Sequence, residues 1–337
     1  MALYCGIDLH ANNSVIAVLD EQDKARYEQR LPNELSQIIT ALQPYQQELV
    51  GCVVESTYNW YWLVDGLMDA GFPVHLAHTG AVPQYAGIKY TNDESDARHL
   101  AHLLRLGILP EGHIQPKAQR ALRDLLRRRL LLVRQKTLHH LSLQSLIARY
   151  TGQRLSANEI KQLDIKAIAD RLEDPIALGG QVTCLARRWL EDAIALLEHE
   201  IQKQLKPRLE YQLVTTMPGI GQALGSTIVL ETGDIARFPS PGHYASYARC
   251  VKTERISNSK LKGRGNSKNG NKYLAWAFME AAHYAAIWSP PIKRYYQRKQ
   301  AKSHILVAKK AVANKLARAC YHMLSRQESF DVNRAFG

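Results

Sequence analysis

The sequence predicts an α/β domain at the N-terminus, a long basic helical arm after it, and a mostly α-helical domain at the C-terminus. Three patterns among the 337 residues lead to this prediction. Short apolar runs alternate with amphipathic stretches up to residue 110. Leucines recur every three or four positions over 115–150, and a Pro-Gly turn precedes further helical periodicity. The predicted domains are 1–110, 111–207 and 208–337, which suits a chain of this length.

Strands and helices alternate in the first domain, as expected of a mixed sheet with helices packed on it. The predicted strands are 3–9, 14–20, 24–31, 49–55 and 73–77, and the predicted helices are 33–43, 58–70 and 93–106. Asn33 is a residue type that favours the N-cap, and Gly71 and Gly107 suit the positions just past two helix ends.

The arm carries nine Lys/Arg and one acid over 115–150. Its leucines predict a long amphipathic helix, and a helix predicted at 183–206 would return antiparallel to it. The pair is predicted to form a coiled-coil hairpin, although Arg129, Lys136 and His139 interrupt the heptads.

Short helices and a loop are predicted between these two helices, where the chain contains Pro175 and Gly179-Gly180. In the last domain, the predicted helices are 222–231, 240–249, 273–286 and 303–325. The stretch 249–272 is rich in Gly, Asn and Lys and predicts a loop.

Charge is unevenly divided along the chain. The 44 Lys+Arg exceed the 31 Asp+Glu by 13. Residues 1–110 hold 6 basic and 13 acidic residues, a net charge of −7. Residues 111–337 therefore hold 38 basic and 18 acidic residues, a net charge of +20. The basic part predicts binding to a polyanion, above all nucleic acid, and the acidic part predicts carboxylates that need cations.

Cysteine usage and hydropathy exclude several classes of protein. Five scattered cysteines with no CxxC pair argue against a disulfide framework or a zinc site and favour a reducing cytosol. No apolar run approaches the roughly 18 residues of a membrane helix. The start lacks the basic region of a signal peptide. We therefore expect a cytoplasmic protein with no membrane partner.

Four acidic residues form the first pattern that suggests a catalytic or metal-binding site. Asp8 lies inside an apolar strand, Glu55 ends another, and Asp93 and Asp96 are spaced to share one helix face. Clustered carboxylates repel one another unless a cation neutralises them, and hard oxygen ligands select Mg²⁺ or Mn²⁺. A two-metal catalytic site needs such a cluster. The alternative is that Asp93 caps a helix and Glu55 is a solvated strand end.

Two further patterns lie in the C-terminal half. The turn with Gly219 and Gly221 presents backbone N–H groups before a helix, as in helix-hairpin-helix DNA-binding elements, or is simply a tight turn. The loop 249–272 has eight Lys/Arg and one acid. It is either a phosphate-contact surface or the carrier of a serine nucleophile, Ser257 or Ser259, that attacks DNA phosphorus. The predicted nucleic-acid contacts are Gly219, Gly221, Arg127, Arg128, Arg255, Lys260, Lys262, Arg264, Lys268 and Lys272.

The histidines near the acids, His10, His99 and His102, form no HExxH-type pair. Structural or solvent-facing roles are predicted for them.

Taken in order, these motifs resemble the DEDD transposases of insertion sequences, which are relatives of the Piv pilin-gene invertases. The matching segments are Gly6–His10, Val54–Thr57, Asn92–Arg98, Pro218–Gly221, Glu231–Asp234, Ser257-Asn258 and Lys268–Leu274. They span nearly the whole chain. In many relatives a glycine follows the serine, whereas Asn258 follows Ser257 here, which leaves Ser259 as a second candidate.

The resemblance implies an RNase H-like (RuvC-like) fold for the first domain and a recombinase that excises and inserts its own element. It implies that Asp8, Glu55, Asp93 and Asp96 hold Mg²⁺ or Mn²⁺ and that Ser257 attacks the DNA strand. The implied assembly is a homo-oligomer, dimer to tetramer, with a site composed across subunits. The implied partners are donor and target DNA and an element-encoded noncoding guide RNA, at the bacterial nucleoid during action.

Three other functions fit parts of the pattern. A junction-resolvase-like nuclease would use the same acids with water as the nucleophile and no serine. An ATP-binding protein of the actin or sugar-kinase type also begins with Gly-Ile-Asp, but it needs glycine in the turn that here reads His10–Asn13. A non-catalytic RNA- or DNA-binding protein has no use for the acidic cluster. Metal-dependent strand cleavage separates these functions.

Overall fold

The computed structural model describes residues 1–78, 93–252, 255–263 and 269–337. They form two compact units, Met1–Lys117 and Ala118–Gly337. The further boundary predicted near residue 207 has no counterpart in this division, and the three-domain organisation stays a prediction.

A six-stranded mixed sheet organises the first unit, in the order β3-β2-β1-β4-β5-β6. The strands are β1 (Leu3–Leu9), β2 (Asn13–Leu19), β3 (Ala25–Pro32), β4 (Leu49–Glu55), β5 (Val74–Ala77) and β6 (Glu111–Gly112). β1 pairs antiparallel with β2 and parallel with β4, so β1 and β4 end at the same edge. The first five strands lie where they were predicted. β6 was missed because two residues carry no periodicity.

Helices cover both faces of this sheet: α1 (Leu35–Leu42), α2 (Tyr61–Asp69) and α3 (Asp93–Arg105). Cys5, Ile7 and Leu9 of β1 share a core with α1 and α2. Gly6 points to the other face, where a Cβ atom would lie 2.0 Å from the carbonyl oxygen of Ala97 in α3. Only glycine allows this approach, so Gly6 determines how closely α3 packs on β1.

The prediction that Asn33 caps α1 is wrong. The N-cap is Glu34, which makes no capping hydrogen bond through its side chain. The Asn33 amide instead donates to the backbone carbonyls of His10 and Ala11. The turn after β1 has carbonyl oxygens that need hydrogen-bond donors. The Asn33 side chain binds them instead of capping α1.

The second unit is mostly helical in the residues described. Its helices are α4 (Lys117–Thr151, beginning at the boundary), α5 (Ala157–Gln162), α6 (Ile165–Ala169), α7 (Ile176–Leu205), α8 (Leu209–Val214), α9 (Gln222–Thr232), α10 (Pro241–Tyr247), α11 (Lys272–Trp288), α12 (Pro290–Gln300), α13 (Ile305–Arg326) and α14 (Val332–Phe336). A hairpin of β7 (Arg255–Ser257) and β8 (Lys260–Gly263) lies between α10 and α11 in sequence. One large core joins α9, α10, α11 and α13. Across the described ranges, no helix is long and apolar enough to cross a membrane.

The long helices α4 and α7 run antiparallel. Leu122 and Leu205 share one core, and Leu143 and Cys184 share another. Between these ends, Arg129 pairs with Glu198 and Lys136 with Glu191. These four layers are seven residues apart in each helix. Arg129 and Lys136, two of the residues that interrupt the apolar heptads, therefore occupy the seam itself, each paired with an acid of α7.

The loop predicted around Gly179-Gly180 is wrong, because both glycines lie inside α7. A Cβ atom on Gly180 would lie 2.8 Å from Cγ2 of Ile168 in α6. This glycine serves close helix packing rather than a turn, and the helix starts at Ile176 instead of 183.

Candidate active site

Two predicted acids stand side by side at the edge where β1 and β4 end. The register pairs Ile7 with Val54, so Asp8 lies beside Glu55. Asp8 is buried, with 4% of its surface exposed, and Glu55 is half-buried. The carboxyl ends of adjacent parallel strands are a common place for a ligand site.

α3 brings the other two acids to this edge. Asp93 and Asp96 lie in its first turn, and its close packing on Gly6 holds that turn over β1. Burial, a hydrogen bond with Asp8 and the charges of Asp8 and Asp96 raise the pKa of Glu55 to about 7. Burial and the charges of Asp8 and Asp93 raise the pKa of Asp96. The structure thus brings the four acids close enough to repel one another.

Two basic side chains also enter this cluster, and the sequence did not single them out as site residues. His10 Nε2 lies 3.1 Å from Asp8 Oδ2 and 3.4 Å from Asp93 Oδ2, within ion-pairing distance of both carboxylates. Arg30 donates to Asp93 Oδ2 at 2.6 Å, and this hydrogen bond lowers the pKa of Asp93. A signal for His10 existed, since residues two apart in an extended segment share a face.

The turn after β1 is braced by asparagines from distant segments. The amides of Asn33 and Asn59 both donate to the carbonyl oxygen of His10, and Asn33 accepts from the hydroxyl of Ser14. These contacts fix the backbone that carries His10. Sequence reasoning had no signal for them, because the partners are far apart in the chain.

The cluster fits a divalent cation. One ligand atom from each of Asp8, His10 and Asp93 lies within 4.8 Å of the others. Carboxylate oxygens with one imidazole are donors that such ions accept. The raised pKa of Glu55 marks a place where carboxylates crowd together and a cation would be favoured.

The second unit carries the serine candidates on the β7–β8 hairpin. Ser257 is the last residue of β7 and pairs with Lys260. Asn258 and Ser259 form the turn, with φ of 50° and 57°, as in a two-residue type I′ turn. Ser257, Lys260 and Lys262 are exposed. Ser257 therefore stands at the tip of a basic ribbon, and Ser259 lies in the turn itself.

The other predicted nucleic-acid contacts are scattered over the second unit. Arg128 of α4 and Lys272, the first residue of α11, are exposed. Arg264, Lys268 and the side chain of Arg255 lie outside the described part of the chain.

The predicted glycine turn joins α8 to α9. Gly219 has φ of 82°, and a Cβ atom on it would lie 2.5 Å from the backbone nitrogen of Ala285 in α11. Gly221 is the N-cap of α9, and a Cβ atom there would meet open space. A groove of about 470 Å³ beside this turn is also lined by Tyr284 and Trp288. Gly219 is thus required for packing, whereas Gly221 faces the groove.

Arg127, which is also a predicted nucleic-acid contact, has a partner within the protein. Its Nε and one terminal nitrogen donate to the two carboxylate oxygens of Glu231 at 2.7 and 2.8 Å. Glu231 is buried, with 3% of its surface exposed. The guanidinium is therefore engaged inside the second unit.

Comparisons with known proteins agree with this arrangement. A family model for DEDD transposases of the IS110 type, described as "Transposase", matches residues 5–151. A second, described as "Transposase IS116/IS110/IS902 family", matches residues 211–297. The first range contains all four acids, and the second contains Ser257. The chain belongs to the IS110 family of DEDD transposases. As a family member it is a DNA transposase or recombinase, and the resemblance noted in its motifs is confirmed.

Several relatives of this transposase have names that describe transposition or inversion. The transposase for insertion sequence element IS1111A of Coxiella burnetii is 23% identical over 340 aligned positions, 96% of this chain and 90% of its own. The pilin gene-inverting protein of Moraxella lacunata is 28% identical over 155 residues, 43% of this chain and 47% of its own. The IS110 43.6 kDa protein of Streptomyces coelicolor is 29% identical over 106 residues, which cover 32% of this chain and only 26% of that relative.

Proposed function

We propose that this transposase excises and inserts its own element by cutting and rejoining DNA strands under the guidance of an RNA. The observation that carries the proposal is the convergence of four carboxylates and His10 at the ends of β1 and β4. The order of the sheet, an antiparallel β1-β2-β3 followed by parallel β4 and β5, supports an RNase H-like (RuvC-like) fold for the first unit.

In this proposal Asp8, Glu55, Asp93 and Asp96, with His10 beside them, hold Mg²⁺ or Mn²⁺. When bound, such an ion polarises the scissile phosphate and makes a hydroxyl easier to deprotonate. The protein supplies the ligands, and Arg30 together with the asparagine-braced turn keeps the first turn of α3 and His10 in place.

Ser257 is the proposed nucleophile. Its Oγ attacks the phosphorus, a serine–phosphate bond forms, and the bond from phosphorus to one deoxyribose oxygen breaks. The serine proton passes to solvent, and the departing oxygen takes up a proton to become a hydroxyl. Because the covalent link conserves the bond energy, the hydroxyl of another DNA end can attack it, which reseals the strand and frees the serine.

The basic surfaces of the second unit are proposed to hold donor DNA, target DNA and an element-encoded noncoding guide RNA. The proposed contacts are Gly219, Gly221, Arg127, Arg128, Arg255, Lys260, Lys262, Arg264, Lys268 and Lys272. The heptad spacing of the α4–α7 contacts supports a coiled-coil arm. We also propose a homo-oligomer, dimer to tetramer, that acts in the cytoplasm at the nucleoid.

A nicked suicide DNA substrate tests the function. The protein with its RNA and Mg²⁺ should form a covalent adduct, visible as a protein-sized shift on a denaturing gel. Chelation should abolish the adduct and leave binding largely intact. Metal-dependent cleavage without any adduct would instead support the junction-resolvase-like nuclease, which shares the four acids but uses water.

A further inference from the structure

The segment that carries Ser257, residues 251–269, is here called the serine loop, and both of its ends are fixed to the helical body. At one end, the carbonyl oxygen of Cys250 accepts from Asn314 at 3.2 Å. At the other end, two guanidinium nitrogens of Arg249 donate to the carbonyl oxygen of Gly270 at 3.0 and 2.7 Å. Gly270 has φ of 90°, and a Cβ atom there would lie 2.4 Å from the carbonyl oxygen of Tyr247. No other residue type fits this position without moving the chain.

Asn271 directly follows Gly270, and both the oxygen and the nitrogen of its side-chain amide form hydrogen bonds. Its Oδ1 accepts from the backbone nitrogens of Tyr273 and Leu274, which caps α11. Its Nδ2 donates to Glu231 Oε2 at 2.7 Å. Asn271 therefore ties the start of α11, where the serine loop ends, to α9.

Glu231 is the centre of this arrangement. It receives Asn271 from one side and the two-pronged Arg127 of α4 from the other, in a place with 3% exposure. A buried ion pair is weak evidence for stability, because desolvation cancels much of the attraction. A two-pronged guanidinium–carboxylate contact does fix orientation, and here it does so where the loop rejoins a helix.

We propose that Arg127, Glu231 and Asn271 form a positioning clamp that holds the serine loop in the geometry Ser257 needs for attack. The clamp rests on the proposed function of Ser257. It gives a role to a buried carboxylate and to the arginine that pairs with it. A displacement of about 1 Å at a reacting group can cost roughly 100-fold in rate.

Two single variants break the clamp differently. Asn271→Asp keeps an oxygen that caps α11 but turns a carboxylate oxygen toward Glu231 where an N–H had been. Glu231→Gln keeps the shape and removes the charge. In the double variant Glu231→Gln/Asn271→Asp, the glutamine amide can donate to the aspartate, so the link between positions 231 and 271 returns with its donor and acceptor exchanged. The hydrogen bond from the terminal nitrogen of Arg127 to Oε2 does not return, because an amide N–H group takes that place. The matched control is Glu198→Gln, which removes an arginine-paired carboxylate on the neighbouring α7 and touches no part of the serine loop.

Adduct formation at saturating DNA separates positioning from folding. Each single variant should form the adduct about 100-fold more slowly with an unchanged DNA dissociation constant, and the double variant should form it faster than either single variant. Glu198→Gln should match the unaltered protein. A loss in Glu198→Gln equal to that of the single variants, or a double variant no faster than either single one, would overturn the clamp.

A second measurement needs no catalysis. The five native cysteines are buried, so a nitroxide attached through Ser259→Cys reports on the hairpin alone. The spectrum should show a more mobile label in Asn271→Asp than in the unaltered protein, and a less mobile label in the double variant than in Asn271→Asp. Unchanged mobility in both single variants would refute the clamp. Absence of an adduct in the unaltered protein would refute only the proposed function.

Discussion

Glu55 gives the first unit a testable pH dependence. Its pKa of about 7 in the folded protein lies above the ordinary 4.5, so the folded state binds more protons than the unfolded state between these values. Stability without divalent cations should therefore fall as the pH rises from about 4.5 to about 7 and then level off. Glu55→Gln should flatten this part of the curve and raise the melting temperature at pH 8 in chelator. The same slope in Glu55→Gln would assign it to another group.

Asp8 is expected to be indispensable for cleavage and dispensable for binding. Asp8→Asn removes one charge from the cluster, so strand cleavage in Mg²⁺ should be lost while RNA and DNA affinities change little. The control is Asp23→Asn, because Asp23 is an acid of the same unit that pairs with Arg105 and His102 away from the cluster. Gel assays of cleavage and binding on both variants measure this, and full cleavage by Asp8→Asn would end the metal assignment.

The two serines of the hairpin differ in backbone geometry. Ser257 is in a strand with ordinary dihedral angles, whereas Ser259 is in the left-handed region at φ of 57°. We expect Ser257→Ala to bind RNA and DNA normally and to give neither adduct nor recombinant product. Ser259→Ala should retain the adduct. A suicide substrate run with both variants decides, since the reverse result would move the nucleophile to Ser259.

At the scale of elements, the contact between β1 and α3 sets the position of two acids. Gly6→Ala forces a Cβ atom against the backbone of α3, so the helix must shift together with Asp93 and Asp96. We expect a loss of about 1–3 kcal/mol in unfolding free energy and a larger relative loss of cleavage. Gly179→Ala in α7 is the comparison, since a Cβ atom there meets nothing within 4 Å. That change should stabilise the helix by about 0.5–1 kcal/mol, measured by denaturant unfolding.

Most elements followed from local pattern, and the failures have physical causes. Short apolar runs located β1 and β4, and Gly71 and Gly107 end their helices in left-handed conformations as predicted. The β7–β8 hairpin was missed because its strands are short and polar, so no apolar period marks them.

Long-range pairing explains the remaining failures, in the site as well as in the fold. Arg129 looked like a break in the heptads because its partner, Glu198, lies in another helix. In the sequence, Glu231 appeared only as part of a family motif, because nothing in the neighbouring residues shows that Arg127 and Asn271 bind it. The four acids were predictable because strand ends and helix starts bear recognisable signals. Their bracing by His10, Arg30 and Asn59 was not.

For the molecule as a whole, the charge division predicts how it should behave during purification. The net +20 of residues 111–337 should retain nucleic acid through phosphate contacts. For about 6–10 such contacts the affinity falls by about 10³–10⁵ between 50 and 200 mM salt. We expect RNA to co-purify at low salt, to be removed by a high-salt wash, and to be required for recombination. Sequencing the bound RNA and assaying with and without it measures this. Recombination by RNA-free protein at a normal rate would contradict RNA guidance.

The seven-residue repeat shared by α4 and α7 restricts the insertions by which the arm can become longer. Seven residues added to α4 alone, between Leu122 and Arg129, would bring Arg129 opposite Glu191 and leave Lys136 and Glu198 without their partners. Seven residues added to both helices at matching points would keep every layer in step and lengthen the arm by roughly 10 Å, at 1.5 Å per residue. The length of this arm can therefore change without loss of its ion pairs only in steps of seven residues, made in α4 and α7 at the same time.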